Sequence, residues 1–170
     1  IDMEFPAGEG PLVYVTMGSS GNPQVLATLI PLLEQMGART MVARAGKLLP
    51  QNLSSARTHV HDFLPGDRLC KRARLVVCNG GSPTTNQALA HGVPVLGIAG
   101  NMDQLLNMRV IDDFGAGILL RADRADKIRL QRCLSSLLGE SRHATRASLL
   151  AESFDVRAPA QVLSQHLSRF

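Results

Sequence analysis

Short apolar stretches rich in β-branched residues alternate with stretches of helical spacing through most of the 170-residue chain. The β-branched stretches are apolar at consecutive positions, as in strands that are buried on both faces. Such strands, separated by helices, predict a parallel sheet with helices on both sides. We therefore expect one doubly wound, Rossmann-like α/β domain over residues 1–170, with a helical tail from about residue 125.

The pattern predicts strands at Leu12–Met17, Arg39–Ala43, Thr58–Phe63, Leu75–Cys78, Pro94–Ala99 and Gly117–Leu120. It predicts helices at Pro23–Met36, Asp67–Ala73, Pro83–His91, Asp103–Asp113, Ala125–Leu138, Arg142–Phe154 and Pro159–Leu167. No repeat or linker composition divides these elements, which favours a single domain.

Composition excludes several classes of function. The net charge is only +4, and the chain has no Trp and one Tyr, so neither a concentrated basic surface nor a stacking platform for nucleic acid is expected. The longest apolar run, Val93–Ala99, is too short to span a bilayer, so we expect no stable membrane insertion. The first residues are Ile1 and Asp2 rather than Met, which suggests a processed product or a piece of a longer protein.

Cysteine usage points away from disulfides and metals. Cys70, Cys78 and Cys133 are odd in number and form no C-x-x-C pair. His59 and His61 share a face of a predicted strand, but no third ligand is evident, so no metal site is expected. The reduced thiols favour a cytoplasmic location.

Three strand-to-helix junctions share one construction. In Gly18–Pro23, Asn79–Pro83 and Gly100–Asp103, glycine lies close to the strand end, and Asn or Ser follows as a candidate N-cap. In a parallel sheet the three junctions lie at the carboxyl edge, where α/β folds bind ligands. Glycine backbone and helix N-terminal amides together form an anion site. A phosphate or diphosphate is the expected occupant; the alternative is a tight turn with a simple cap.

Common fingerprints are missing from these junctions. The chain contains no G-x-x-x-x-G-K-[ST], so a P-loop NTPase is disfavoured. Gly18 and Gly21 do not form G-x-G-x-x-G, which removes the main support for a nicotinamide or flavin site. Neither Ser20 nor Ser82 lies in G-x-S-x-G, so a hydrolase nucleophile is not indicated.

A specific resemblance begins at Asn79–Leu89, which reads NGGSPTTNQAL, and continues through Gly92–Asn107, which reads GVPVLGIAGNMDQLLN. These segments resemble the donor-binding signature of GT-B UDP-glycosyltransferases, whose usual form is HGGxGTxxEAL, a G-V-P strand, then DQ and N. Leu12–Gly21, LVYVTMGSSG, and Val60–Leu69, VHDFLPGDRL, resemble two further segments of that family. The chain is identified as the C-terminal, donor-binding half of an antibiotic- or macrolide-type inverting enzyme.

The resemblance implies a role for each matching residue. The donor diphosphate would be held by Gly18, Ser19, Ser20, Asn79, Gly80, Gly81, Ser82, Thr84 and Thr85, with Asn107 near the phosphates. Phe63 would stack on the base, and the Leu64 backbone would bond to its edge; core packing is the alternative for Phe63. Gln87 would bind the ribose, while Asp103 and Gln104 would bind the sugar. The alternative for Asp103 is an acidic residue in the first turn of a helix, where it stabilises the helix dipole. The donor would be a UDP- or dTDP-sugar, without a cofactor.

Three departures from the family pattern affect the donor. The family His is Asn79, which can still donate a hydrogen bond, and the family His-Gly pair within the motif is Ser82-Pro83. The ribose Glu is Gln87, whose single acceptor oxygen weakens a bidentate grip on two hydroxyls. One hypothesis is a deoxyribose donor, as in dTDP-sugars, although the intact Asp103-Gln104 pair is typical of ordinary hexose donors. Another is a site that has drifted and binds weakly.

The resemblance also implies what this chain would lack. In the family, a His-Asp pair in an N-terminal domain removes the proton from the acceptor, so the chain alone is expected to bind nucleotide without turnover. Its expected partners are a nucleotide sugar and that N-terminal domain, not nucleic acid. The alternatives are a nucleotide-sugar epimerase or cell-wall precursor glycosyltransferase of the same architecture, and a non-catalytic or degenerate nucleotide-binding module.

Overall fold

The computed structural model describes residues 3–154 and contains one six-stranded parallel sheet in the order β3-β2-β1-β4-β5-β6. The strands are β1 (Leu12–Thr16), β2 (Arg39–Ala43), β3 (Thr58–His61), β4 (Leu75–Cys78), β5 (Val95–Ala99) and β6 (Gly117–Arg121). Every neighbouring pair is parallel. The predicted parallel α/β sheet is confirmed.

Helices cover both faces of the sheet. They are α1 (Leu26–Gln35), α2 (Gly66–Cys70), α3 (Ser82–Ala90), α4 (Met102–Phe114), α5 (Lys127–Gly139) and α6 (Ser141–Ala151). On one face α1 and α5 pack through residues such as Leu29 and Leu134. On the other face α2, α3, α4 and α6 pack through residues such as Leu69 and Met108. Among residues 3–154, no helix has both the length and the apolar character needed to cross a bilayer.

The element bounds differ from the predictions at a few places. β3 ends at His61, which pairs with Ala43 of β2. Phe63 therefore lies in a loop rather than in a strand. α2 ends at Cys70, three residues earlier than predicted, and is followed by a hydrogen-bonded turn. The predicted helix Pro159–Leu167 lies outside the described residues.

Successive strands are added on one side of β1 in the first half of the chain and on its other side in the second half. β2 and β3 follow on one side of β1, whereas β4, β5 and β6 lie on the other, and Thr16 at the end of β1 is paired with Cys78 at the end of β4. The chain leaves β1 toward α1 on one face and leaves β4 toward α3 on the other. Such a reversal opens a crevice at the carboxyl edge, which is where doubly wound folds bind ligands.

Glycines let α4 approach the sheet closely. A Cβ atom built on Gly97 of β5 would lie 2.4 Å from Sδ of Met108, and one built on Gly80 would lie 2.6 Å from Met108 Cγ. Met108 is fully buried in this space. The close approach brings the first turns of α4 against the junctions that follow β1, β4 and β5, where the candidate site lies.

Candidate functional site

The loop after β1 packs directly against the loop after β4. The Gly21 amide donates to the Met17 carbonyl oxygen at 2.9 Å and closes a tight turn. A Cβ atom built on Gly21 would lie 2.3 Å from that oxygen and 2.8 Å from Cβ of Asn79. Only glycine permits this approach, so the two predicted Gly/Ser junctions do meet in space.

Amide side chains connect the three junctions. Asn79 Nδ2 donates to Ser20 Oγ at 3.1 Å, and Gln104 Nε2 donates to the same oxygen at 2.8 Å. Asn107 Nδ2 donates to the Gly80 carbonyl oxygen at 2.8 Å and to Thr85 Oγ1 at 3.0 Å. The β1, β4 and β5 junctions therefore form one hydrogen-bonded unit.

A pocket of about 220 Å³ opens between these junctions. It is lined by Ser20, Gly81, Ser82, Pro83, Asn101, Asp103, Gln104 and Asn107. The lining contains no Lys or Arg, so an anion here would be held by hydroxyl groups, amide groups and the positive end of a helix. Asp103 is exposed on the first turn of α4 and supplies the one carboxylate of the lining.

The N-terminus of α3 faces this pocket without a side-chain cap. Ser82, the candidate cap of this junction, is already helical, and the N-cap is Gly81. Pro83 in the first turn has no N–H, which leaves the Ser82 and Thr84 amides as early donors of the helix. Because no side chain of the turn satisfies them, these amides are available to an anion.

The other two helix starts are capped as predicted. Asn101 Oδ1 accepts from the Gln104 amide at 3.0 Å at the start of α4. Asn22 Oδ1 accepts from the Gln24 amide at 3.0 Å in the 3-10 turn that precedes α1. Of the three helix starts, only that of α3 lacks a side-chain cap.

Two residues predicted to touch the donor are occupied elsewhere. Thr85 is fully buried, and its hydroxyl group donates to the Ser82 carbonyl oxygen at 3.2 Å while it accepts from Asn107. Gln104 is only 3% exposed, and both ends of its amide are hydrogen-bonded within the protein. Both side chains hold the junctions together, and Gln104 also lines the pocket.

A second group of predicted residues lies where β3 and α2 meet. Phe63 is 78% exposed, which excludes the core-packing interpretation and leaves its ring free for a ligand. Gln87 reaches this place from α3, since a Cβ atom built on Gly66 would lie 2.5 Å from Gln87 Oε1. Leu64 lies between Phe63 and Gly66 in the chain. None of these residues lines the pocket beside Ser20, so the two groups occupy separate positions on the carboxyl edge.

Some participants were missed by sequence reasoning. Pro83 and Asn101 line the pocket, and the Gly100 amide holds Gln104 Oε1 at 2.8 Å. The pattern of the Gly100–Asp103 junction predicts only a capping role for Asn101. Their positions next to the glycines of two junctions could have indicated that Pro83 and Asn101 line the pocket. Within residues 3–154, no cluster of three or more His, Cys, Asp or Glu side chains is arranged to hold a metal ion.

Burial makes Cys78, the thiol nearest the site, a poor nucleophile. Cys78 is completely buried, its Sγ accepts from the Gly80 amide at 3.3 Å, and burial raises its pKa to about 12. Burial likewise raises the pKa of Cys70 to about 12. A thiol with such a pKa carries almost no thiolate at neutral pH and is a poor nucleophile.

We therefore expect Cys70 and Cys78 of the native chain to resist a thiol-specific disulfide reagent at pH 8. In urea both should react at the rate of an ordinary thiol, because unfolding restores a pKa near 8.5. Time-resolved labelling followed by peptide mapping measures both rates. Rapid labelling of Cys78 in the folded chain would contradict the burial described here.

Residues 35–168 match the family model described as erythromycin biosynthesis protein CIII-like, C-terminal domain. This match covers more than half of the chain. The chain belongs to this family. The predicted resemblance, to the C-terminal domain of antibiotic-type glycosyltransferases, is thereby confirmed.

Relatives of this CIII-like domain include a PGL/p-HBAD biosynthesis glycosyltransferase of Mycobacterium tuberculosis, 40% identical over 144 residues. That alignment covers 85% of this chain and 33% of the relative. A PGL/p-HBAD biosynthesis rhamnosyltransferase of Mycobacterium bovis is 40% identical over 148 residues, covering 85% of this chain and 32% of the relative. The chain thus spans about a third of the length of these relatives.

Solved structures share the fold of this CIII-like domain. The calicheamicin glycosyltransferase CalG4 aligns with a TM-score of 0.83 at 18% identity, covering 98% of this chain and 45% of that one. The likeness shows the fold, and this chain corresponds to a little under half of that solved chain. The predicted fold class is confirmed by this match and by the strand order.

Proposed function

We propose that this CIII-like domain binds a nucleotide-diphosphate sugar as the donor half of an inverting glycosyltransferase that transfers a hexose to a hydroxyl group of a small molecule. The observation that carries the proposal is the pocket at the carboxyl edge of the sheet, between β1 and β4. There the two Gly/Ser junctions meet beside the N-terminus of α3, which has no side-chain cap. The names of the relatives, glycosyltransferase and rhamnosyltransferase, support the same class of reaction.

The donor diphosphate belongs at the pocket. Ser20 and the Ser82 and Thr84 amides supply neutral hydrogen-bond donors there, and Gly18, Ser19, Asn79, Gly80 and Gly81 complete the two loops around them. Such donors need not reorganise when the diphosphate leaves with an extra negative charge, which is the electrostatic requirement of the transfer step.

The base and the sugar belong at either side of the diphosphate. The exposed ring of Phe63 would stack on the base, the Leu64 backbone would bond to its edge, and Gln87 would contact the ribose. Asp103 would accept hydrogen bonds from the sugar hydroxyls, because its carboxylate lines the pocket. Gln104 also lines the pocket and would contact the sugar with the N–H that its bonds to Ser20 and the Gly100 amide leave over.

The transfer itself needs a second domain. The oxygen of the acceptor hydroxyl attacks the anomeric carbon, the bond from that carbon to the diphosphate oxygen breaks, and a base takes the hydroxyl proton. We assign the diphosphate stabilisation to this chain and the base to a preceding domain of a longer polypeptide. We keep the cytoplasm as the expected compartment, since Cys70, Cys78 and Cys133 are free thiols.

Calorimetric titration of the chain with UDP, dTDP and uridine tests donor binding. Both diphosphates are expected to bind at least about 10-fold more tightly than uridine, because hydrogen bonds to a charged group contribute about 1.5–3 kcal/mol. If Gln87 selects deoxyribose, dTDP binds more tightly than UDP, and UDP binding at least as tight as dTDP binding contradicts that selection. Undetectable binding of both diphosphates would refute the proposal and favour a degenerate module. dTDP-rhamnose is the first sugar to add, because one relative is named a rhamnosyltransferase.

A further inference from the structure

Two buried amides meet at one exposed hydroxyl, and the orientation of the first is determined by a backbone group. Asn79 is 6% exposed, and its Oδ1 accepts from the Gly81 amide at 3.2 Å. A backbone N–H can only donate, so the atom facing Gly81 must be the oxygen. The other end of the amide, Nδ2, is therefore the end that reaches Ser20 Oγ.

The second amide is oriented in the same way. Gln104 is 3% exposed, and its Oε1 accepts from the Gly100 amide at 2.8 Å. Its Nε2 is therefore the atom 2.8 Å from Ser20 Oγ. Both amides donate to the same hydroxyl oxygen, although they come from different junctions.

These contacts determine what the Ser20 hydroxyl can still do. A hydroxyl group has two acceptor lone pairs and one proton, and here both lone pairs face amide donors. The proton is left to donate, and Ser20 lines the pocket beside the uncapped start of α3. We propose that Asn79 and Gln104 are positioning residues that make Ser20 a donor-only group aimed at the diphosphate of the nucleotide sugar.

This proposal rests on the proposed function and adds to it. It gives Asn79, which stands where the resembled family has His, a task that does not require contact with the phosphate. It also explains why Gln104 is buried among the junctions although its neighbour Asp103 is exposed. The network thus presents a hydroxyl proton to the anion in place of a charged side chain, since the pocket contains no Lys or Arg.

Asn79→Asp tests the arrangement, because an aspartate keeps the oxygen that accepts from Gly81 but removes the donor to Ser20. The Ser20 proton would then donate to the new carboxylate and turn away from the ligand. We expect UDP affinity to fall at least about 10-fold and uridine affinity by less than about 2-fold, because only the diphosphate uses the proton. Calorimetry of both ligands measures this.

Asn79→Asp in a Ser20→Ala background distinguishes the reorientation of the Ser20 hydroxyl group from charge repulsion between the new carboxylate and the diphosphate. Repulsion between the introduced carboxylate and the diphosphate would act equally in both backgrounds. We expect the loss caused by Asn79→Asp to be at least about 3-fold smaller with alanine at position 20, as coupled residues give non-additive effects. Gln104→Glu should behave like Asn79→Asp, and Ser20→Thr, which keeps the hydroxyl group, should stay within about 3-fold of the parent chain.

The outcomes distinguish this inference from the proposed function. If the parent chain binds UDP and the losses are equal in the two backgrounds, the positioning role is wrong while donor binding stands. Equal losses for UDP and uridine also overturn it, because they would indicate a general disturbance of the fold. If the parent chain binds neither diphosphate, the proposed function fails first. Urea unfolding of each variant verifies that the folded chain is titrated.

Discussion

Met108→Ala is expected to lower the free energy of unfolding by about 2–5 kcal/mol, the range for truncating a fully buried large apolar residue. Met108 fills the space that the missing side chains of Gly80 and Gly97 leave between α4 and the sheet. Removal of its thioether leaves a cavity at the point where α4 is held against β5. Urea unfolding monitored by circular dichroism measures the change.

Leu106→Ala on the same helix is the matched control. Leu106 is 61% exposed, so its truncation should change the unfolding free energy by no more than about 0.5 kcal/mol. Equal effects of the two substitutions would contradict the packing described for α4.

The complementary substitution at Gly97 sharpens this test. Gly97→Ala places a methyl group 2.4 Å from Met108 and should cost about 1–3 kcal/mol by overpacking. The double variant Gly97→Ala, Met108→Ala should lose less stability than the sum of the two single changes, because each relieves the other. Strict additivity would show that the two residues do not compete for one space.

Phe63→Ala is expected to lower the affinity for UDP or dTDP by about 5- to 150-fold, since stacking of a base on an aromatic ring contributes about 1–3 kcal/mol. Phe63 is 78% exposed, so the substitution should leave the free energy of unfolding within about 0.5 kcal/mol of the parent chain. A large affinity loss without a stability loss marks a ligand contact. Calorimetry and urea unfolding supply the two measurements.

Ile128→Ala is the control for this substitution. Ile128 is 65% exposed in the first turn of α5 and does not line the pocket beside Ser20, so its truncation should change neither nucleotide affinity nor stability. Unchanged UDP affinity of the Phe63→Ala chain would remove Phe63 from the site, whereas the diphosphate pocket beside Ser20 would still be open to test.

Much of the fold was predictable because local pattern and topology agree. Strands such as Leu75–Cys78 are apolar at every position, which only a sheet covered on both faces tolerates. The short connections between strands and helices then favour a parallel, doubly wound order. β3 was predicted too long because Phe63 is apolar, yet it lies beyond the last pairing with β2 and is exposed.

The amino-acid sequence alone determined the fold class, the three glycine-rich junctions and the residues placed on them, because periodicity and turn chemistry are local properties. Tertiary structure decided which of those residues face a ligand. Ser20 and Gln104 are 84 positions apart in the chain, and their hydrogen bond exists only because β1 and β5 flank β4 and glycines admit α4. Whether an amide is free or already satisfied depends on such long-range packing, which no local pattern encodes.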